Sequence, residues 1–162
     1  MILISDANIL IDLGFVDGIG LLPKLGKCEV LDLVLMECEH PSQPELVRTV
    51  KESGIFVIPV SQALLNEASS LQARQLSVQD KLTLCYASHC NGTVLTGDRP
   101  LREKCQESDI EYRGAFWIIE EAHQQGLISP KELCRWISVW RTAGRRLPKA
   151  ELDRLHQVLS CA

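Results

Sequence analysis

A chain of 162 residues with 46% hydrophobic and 23% charged residues has ordinary globular composition and length enough for one domain with a full core. No stretch approaches the roughly eighteen uninterrupted apolar residues of a membrane span, and the opening residues read as a strand rather than a leader, so cytoplasmic residence is expected. The 17 basic and 21 acidic residues give a net charge of −4, too small to exclude a nucleic-acid partner bound through a local basic patch.

Met1-Ile2-Leu3-Ile4 is a short apolar run that stops at Ser5-Asp6 and reads as a buried strand ending in an acid. Ala7 to Gly14 suits a short helix closed by glycine, and Gly18, Gly20 and Pro23 mark a loop. Glu29-Val30-Leu31 predicts a second strand, after which Asp32 can cap a helical turn carrying Val34, Glu37 and Cys38. Pro41 and Pro44 break that turn before Leu46, Val47 and Val50 repeat at helical spacing. The run Ile55 to Val60 predicts a third strand, followed by a helix through Leu64, Leu65, Ala68 and Leu71.

Ser77 to Cys90 predicts a long helix with Leu82, Leu84, Cys85, Ala87 and Ser88 inward. Val94 and Leu95 form the next strand, which ends at Thr96-Gly97-Asp98. A helix from Leu101 to Glu107 and a short strand at Ile110-Glu111-Tyr112 follow. Strands alternating with helices predict a doubly wound α/β sheet with right-handed crossovers. Phe116 to Gln125, Pro130 to Thr142 and Pro148 to Leu159 read as closing helices. Residues 1–128 are expected to form the α/β domain, and 129–162 a helical extension packed on it.

The seven cysteines, at 28, 38, 85, 90, 105, 134 and 161, are odd in number and include no C-x-x-C pair, so reduced, mostly buried thiols are expected. Cys38, His40, Cys85, His89 and Cys90 carry zinc-type donors, but their spacing matches no standard pattern.

Four acids stand where a folded chain can bring them together: Asp6, Glu37, Asp80 and Asp98. Asp6 and Asp98 end strands, and in an open parallel sheet the crevice outside the carboxyl ends is where ligands bind. Each acid also has a plain structural reading. Asp6 can cap the helix that follows, Ser77-x-x-Asp80 has the form of a capping box, and Asp98 can sit in a simple turn. Glu37 lies near Glu39, and either can belong to a solvated face. Carboxylates that meet repel one another, so a cluster of four points to a divalent cation.

In order along the chain, Ser5-Asp6-Ala7-Asn8-Ile9-Leu10-Ile11, Val34-Leu35-Met36-Glu37, Gln79-Asp80-Lys81-Leu82 and Leu95-Thr96-Gly97-Asp98-Arg99-Pro100-Leu101-Arg102 resemble the motifs of PIN-domain nucleases. The resemblance spans roughly residues 1 to 128. It implies a three-layer α/β/α fold around a parallel sheet, Mg²⁺ or Mn²⁺, and cleavage of RNA phosphodiesters. Asp6, Glu37, Asp80 and Asp98 match the family's acidic quartet, with Asn8 and Thr96 as supporting groups. Lys81, Arg99 and Arg102 are candidate RNA contacts. Small members resemble VapC-like toxins held by an antitoxin protein; a homodimer is also expected, with Trp136, Trp140, Arg141, Arg145 and Arg146 as its candidate interface. Two features depart from the pattern: Arg102 stands where some relatives carry a further acid, and the helical tail exceeds the smallest toxins.

Two rival readings are open. A phosphatase of haloacid-dehalogenase type resembles this chain only in its first acid, since Ala7-Asn8-Ile9-Leu10 lacks the second acid and threonine. A non-catalytic PIN-like module would bind RNA or protein through Trp136, Trp140, Arg141, Arg145 and Arg146. Trp136 and Trp140 fall four residues apart on one helix face, which equally suits a core role.

Overall fold

The computed structural model describes residues 1–145 and 147–162. Five strands make one sheet: β1 (Ile2–Ser5), β2 (Lys27–Leu31), β3 (Phe56–Ile58), β4 (Thr93–Leu95) and β5 (Tyr112–Arg113). All pairings are parallel, in the order β3-β2-β1-β4-β5. The α/β class expected from alternating apolar runs is therefore the one observed. The chain builds outward from β1 to β3 and then returns to the other side of β1, so the direction of winding reverses between β1 and β4. At such a reversal the flanking connections diverge and leave a crevice at the carboxyl ends.

The helices are α1 (Ala7–Gly14), α2 (Leu22–Leu25), α3 (Asp32–Leu35), α4 (Leu46–Glu52), α5 (Gln62–Ser70), α6 (Val78–Cys90), α7 (Arg99–Glu107), α8 (Ala115–Gln124), α9 (Pro130–Thr142) and α10 (Lys149–Leu159). Alternation along the central strands divides the core. Ile4 and Val94 join Leu84, Ala87, Leu101 and Cys105 of α6 and α7. Leu3 and Leu95 belong to the larger cluster with Leu10, Leu13, Ile118 and Trp136. Because α6 touches β1, β4, α3, α5 and α7, its buried residues Leu82, Thr83, Leu84, Cys85 and Ala87 run around much of its circumference. Ser88, expected inward, is exposed.

Local differences have local causes. The Ile55–Val60 run yields only three strand residues because β3 is an edge, and Phe56 is 54% exposed there. Helix α2 falls inside the stretch expected to be loop, with Pro23 in its first turn, a position that lacks an intrahelical partner anyway. Asp32 opens α3 but does not cap it; its carboxylate accepts from the amides of Leu33 and Val60 and so ties the exit of β3 to α3.

Trp136 and Trp140 are 1% and 0% exposed, with ring centroids 6.2 Å apart. A partner or RNA surface built on these rings is thereby excluded. Trp140 Nε1 donates to the carbonyl of Asp12 at 2.7 Å, which fastens α9 to α1. Arg141 is exposed, Arg145 turns inward to Asp12, and Arg146 lies outside the described residues.

The expectation of wholly reduced cysteines is corrected. Cys134 and Cys161 form a disulfide that joins α9 to the residues after α10. These two are partly exposed and held together by the packing of α10 on α9. Cys28, Cys38, Cys85 and Cys105 are buried free thiols. Burial first, then the neighbouring Glu29 carboxylate, pushes Cys28 up to about 12. No described helix is long and apolar enough to cross a membrane.

Candidate active site

Asp6 follows β1 directly, and its backbone amide donates to the Leu95 carbonyl of β4 at 3.0 Å. Ser5 pairs with Leu95 in register, so Asp6 lies beside the Thr96-Gly97-Asp98 exit of the neighbouring strand. Thr96 is fully buried, and its hydroxyl accepts from the Asp98 amide at 3.0 Å, which turns the chain into α7. Asn8 is exposed in the first turn of α1. A cavity of about 340 Å³ opens here, lined by Asn8, Asp12, Gly97, Asp98, Gly144 and Arg145.

Three of the acids do cap helices. Asp6 Oδ1 accepts from the Ile9 amide at 2.9 Å, and Asp98 Oδ2 accepts from Leu101 at 3.1 Å. Ser77 and Asp80 form the reciprocal capping box of α6. Capping and clustering prove compatible, because a cap uses one carboxylate oxygen. The positive ends of α1, α6 and α7 also soften the repulsion among the acids they present.

Asp80 links the other three acids electrostatically: its charge acts on Asp6 and on Glu37, and Asp98 acts on it. Burial, opposed by the Thr96 hydroxyl and the Ile9 amide and helped by the Asp80 and Asp12 charges, raises Asp6 to about 7. Glu37 is raised by partial burial and then by Asp80. Asp80 is raised by desolvation and by Asp98, while its bonds to Ser77 oppose the shift. Glu37 is carried by the 3₁₀ turn Met36–Cys38, which is anchored by the buried thiol of Cys38 beneath the Ala7 carbonyl. Glu39 instead lines a groove with His40, Pro41, Pro44 and Val47.

The zinc-type donors separate. His40 bonds Ser42, His89 bonds Glu67, and Cys38 sits against Ala7. Among the described residues no three His, Cys, Asp or Glu side chains close on a single ion as they stand. The acidic set nevertheless fits a hard divalent cation by its chemistry. Its donors are carboxylate oxygens, Asp6 is desolvated at 4% exposure, and burial first, then neighbouring carboxylates, raises Asp6, Glu37 and Asp80.

Residues 2–160 match a family model described as PIN domain. The chain belongs to the PIN domain family. PIN domains are typically nucleases that use divalent metals, so the family agrees with a nucleic-acid-directed site built from acids. No curated protein is matched at a significant level.

The candidate basic contacts differ in their surroundings. Arg99 is exposed and pairs with Glu103 at 2.8 Å. Lys81 is half-buried in the first turn of this PIN domain's α6. Arg102 donates to the Thr96 carbonyl at 3.0 Å and lies 5.7 Å from the Tyr112 ring centroid, so it braces the β4 exit from behind. Glu29 is a further buried acid outside the quartet. It is 3% exposed in β2, bonded to the Tyr86 hydroxyl at 2.7 Å and to Lys27 at 2.8 Å. A charged residue inside a predicted buried strand was the available signal.

Proposed function

We propose that this PIN domain is a metal-dependent ribonuclease that hydrolyses RNA phosphodiester bonds at Asp6, Glu37, Asp80 and Asp98. The observation that carries the reading is the placement of Asp6 and Asp98 on adjacent strand ends where the sheet reverses its winding. Glu37 and Asp80 lie within electrostatic reach of that point.

Asp6 and Asp98 would hold Mg²⁺ or Mn²⁺, with Glu37 and Asp80 assisting through water or beside a second ion. A cation held by these carboxylates would supply Lewis-acid polarisation of the phosphodiester and a water of lowered pKa. The protein's own contribution is positional. Asp6 is fixed by its amide bond to β4 and by its cap to α1, and Thr96 sets the turn that delivers Asp98. Asn8, at the cavity mouth, supplies an amide for substrate or water. The raised affinity of Asp6 for a proton means that proton and cation compete for the same carboxylate.

The resemblance to VapC-like toxins extends the proposal to a growth-arresting enzyme restrained by an antitoxin protein and assembled as a homodimer. The experiment is Mn²⁺-dependent cleavage of a labelled single-stranded RNA by the wild type, Asp6→Asn and Asp98→Asn. Loss of cleavage on the order of a hundredfold in both variants, with unchanged circular dichroism, is expected. Undiminished cleavage by either variant would remove its carboxylate from the site. Metal-independent RNA binding without turnover would favour the non-catalytic module. For the toxin role, induced expression should halt growth; harmless expression of an active nuclease would refute it.

A further inference from the structure

We infer that Arg145 binds a phosphate of the RNA strand in the cavity beside Asp98, an inference that rests on the ribonuclease reading. The residue comes from the turn after α9, in the helical tail beyond the motif-bearing part of the chain. Its amide closes α9 by donating to the Trp140 carbonyl at 3.0 Å, and Gly144, at φ +70, supplies the left-handed residue that turns the chain inward. The side chain then reaches back across the molecule. Its Nε donates to Asp12 Oδ1, its guanidinium carbon lies 5.8 Å from the Phe15 ring centroid, and it remains 27% exposed.

The cavity explains why a cation there has consequences. Its charged lining among the described residues is Asp12, Asp98 and Arg145. RNA is a polyanion, and carboxylates beside its backbone repel it unless cations balance them. Arg145 presents a fork of five N–H donors, of which the bond to Asp12 uses one. The pairing with Asp12 and the contact with Phe15 hold the guanidinium in place before any ligand arrives, so little side-chain freedom remains to be lost on binding. Trp140 grips the main chain of the same Asp12, at 2.7 Å, so α9, the turn and α1 are clamped together at one residue.

The test compares full-length wild type, Arg145→Gln and Asp12→Asn. Kinetics of Mn²⁺-dependent cleavage of a 20-nucleotide single-stranded RNA are measured alongside binding of the same RNA in EDTA by fluorescence anisotropy. The expected result is a loss of about tenfold in KM or in metal-free affinity for Arg145→Gln. Its salt dependence of binding should also flatten by about 0.7 in log–log slope, as for one lost phosphate contact. Asp12→Asn frees the guanidinium and removes one repelling carboxylate while keeping the cation, so its metal-free affinity should fall clearly less than that of Arg145→Gln. Equal losses in both variants would make Arg145 a structural brace and overturn the inference. An active wild type with unaffected Arg145→Gln would overturn it alone, whereas a wild type that neither cleaves nor binds RNA would overturn the inference and the ribonuclease reading together.

Discussion

The amide of Asp6 donates to the carbonyl of Leu95 at 3.0 Å, which ties the end of β1 to the end of β4. That bond sets the exits of β1 and β4 side by side, with Asp6 on one and Asp98, three residues beyond Leu95 and 92 positions from Asp6 in sequence, on the other. It also places Asp6 in a buried backbone frame, where its charge is poorly solvated. That burial carries a cost in stability.

That cost is measurable without metal. An acid whose folded pKa is raised binds more protons folded than unfolded, so stability declines as pH climbs from the ordinary carboxylate value of 3.8 to about 7. The decline amounts to roughly 4 kcal/mol for Asp6 and is complete above pH 7. In EDTA the thermal midpoint should therefore fall across this window. Asp6→Asn, which keeps the helix cap, should flatten the fall and melt higher than wild type at pH 8. A wild-type midpoint that rises with pH from 4 to 7 would contradict this account.

Glu37 and Glu39 have different surroundings, Asp80 for the first and a groove with Pro41 and Pro44 for the second. Glu37→Gln should lower RNA cleavage at least about tenfold, while Glu39→Gln, facing the groove with Pro41 and Pro44, should remain near wild type. Steady-state kcat/KM for the pair decides between them.

A methyl group at Gly18 would meet Trp136 at 2.7 Å, within the buried junction of α9 and the segment after α1. Gly18→Ala should lower stability by about 1–3 kcal/mol through overpacking. Denaturant unfolding followed by tryptophan fluorescence reports directly on that contact.

The disulfide between Cys134 and Cys161 closes a segment with a sequence separation of 27. Restricting the unfolded chain to that extent is worth about 3–4 kcal/mol in the chain-entropy model. Dithiothreitol, or Cys134→Ser, should lower the thermal midpoint, and the mass of the alkylated unreduced protein should show five free thiols.

The local elements were legible because their signals are local. Ala7–Gly14 and Pro130–Thr142 have the boundaries read from apolar spacing, glycine and proline. The capping box at Ser77 and Asp80 was visible as two residues three apart. The β3 edge was overestimated, because an apolar run does not reveal how many neighbours a strand will have. The bond between Glu29 and Tyr86 leaves no local signal, since the partners lie 57 residues apart.

What the sequence determined by itself was the alternation of strands and helices, the caps, and the presence of acids at strand ends. Each depends on dihedral preference or hydrophobic period within a few residues. The tertiary structure alone decided that Glu37 comes near Asp80 while Glu39 lines a groove with Pro41 and Pro44, that the tryptophans are core, and that Cys134 pairs with Cys161. It also brought Arg145 to Asp12 across 133 positions. Such relations come from strand order and helix packing, which close loops too long for any local pattern to encode.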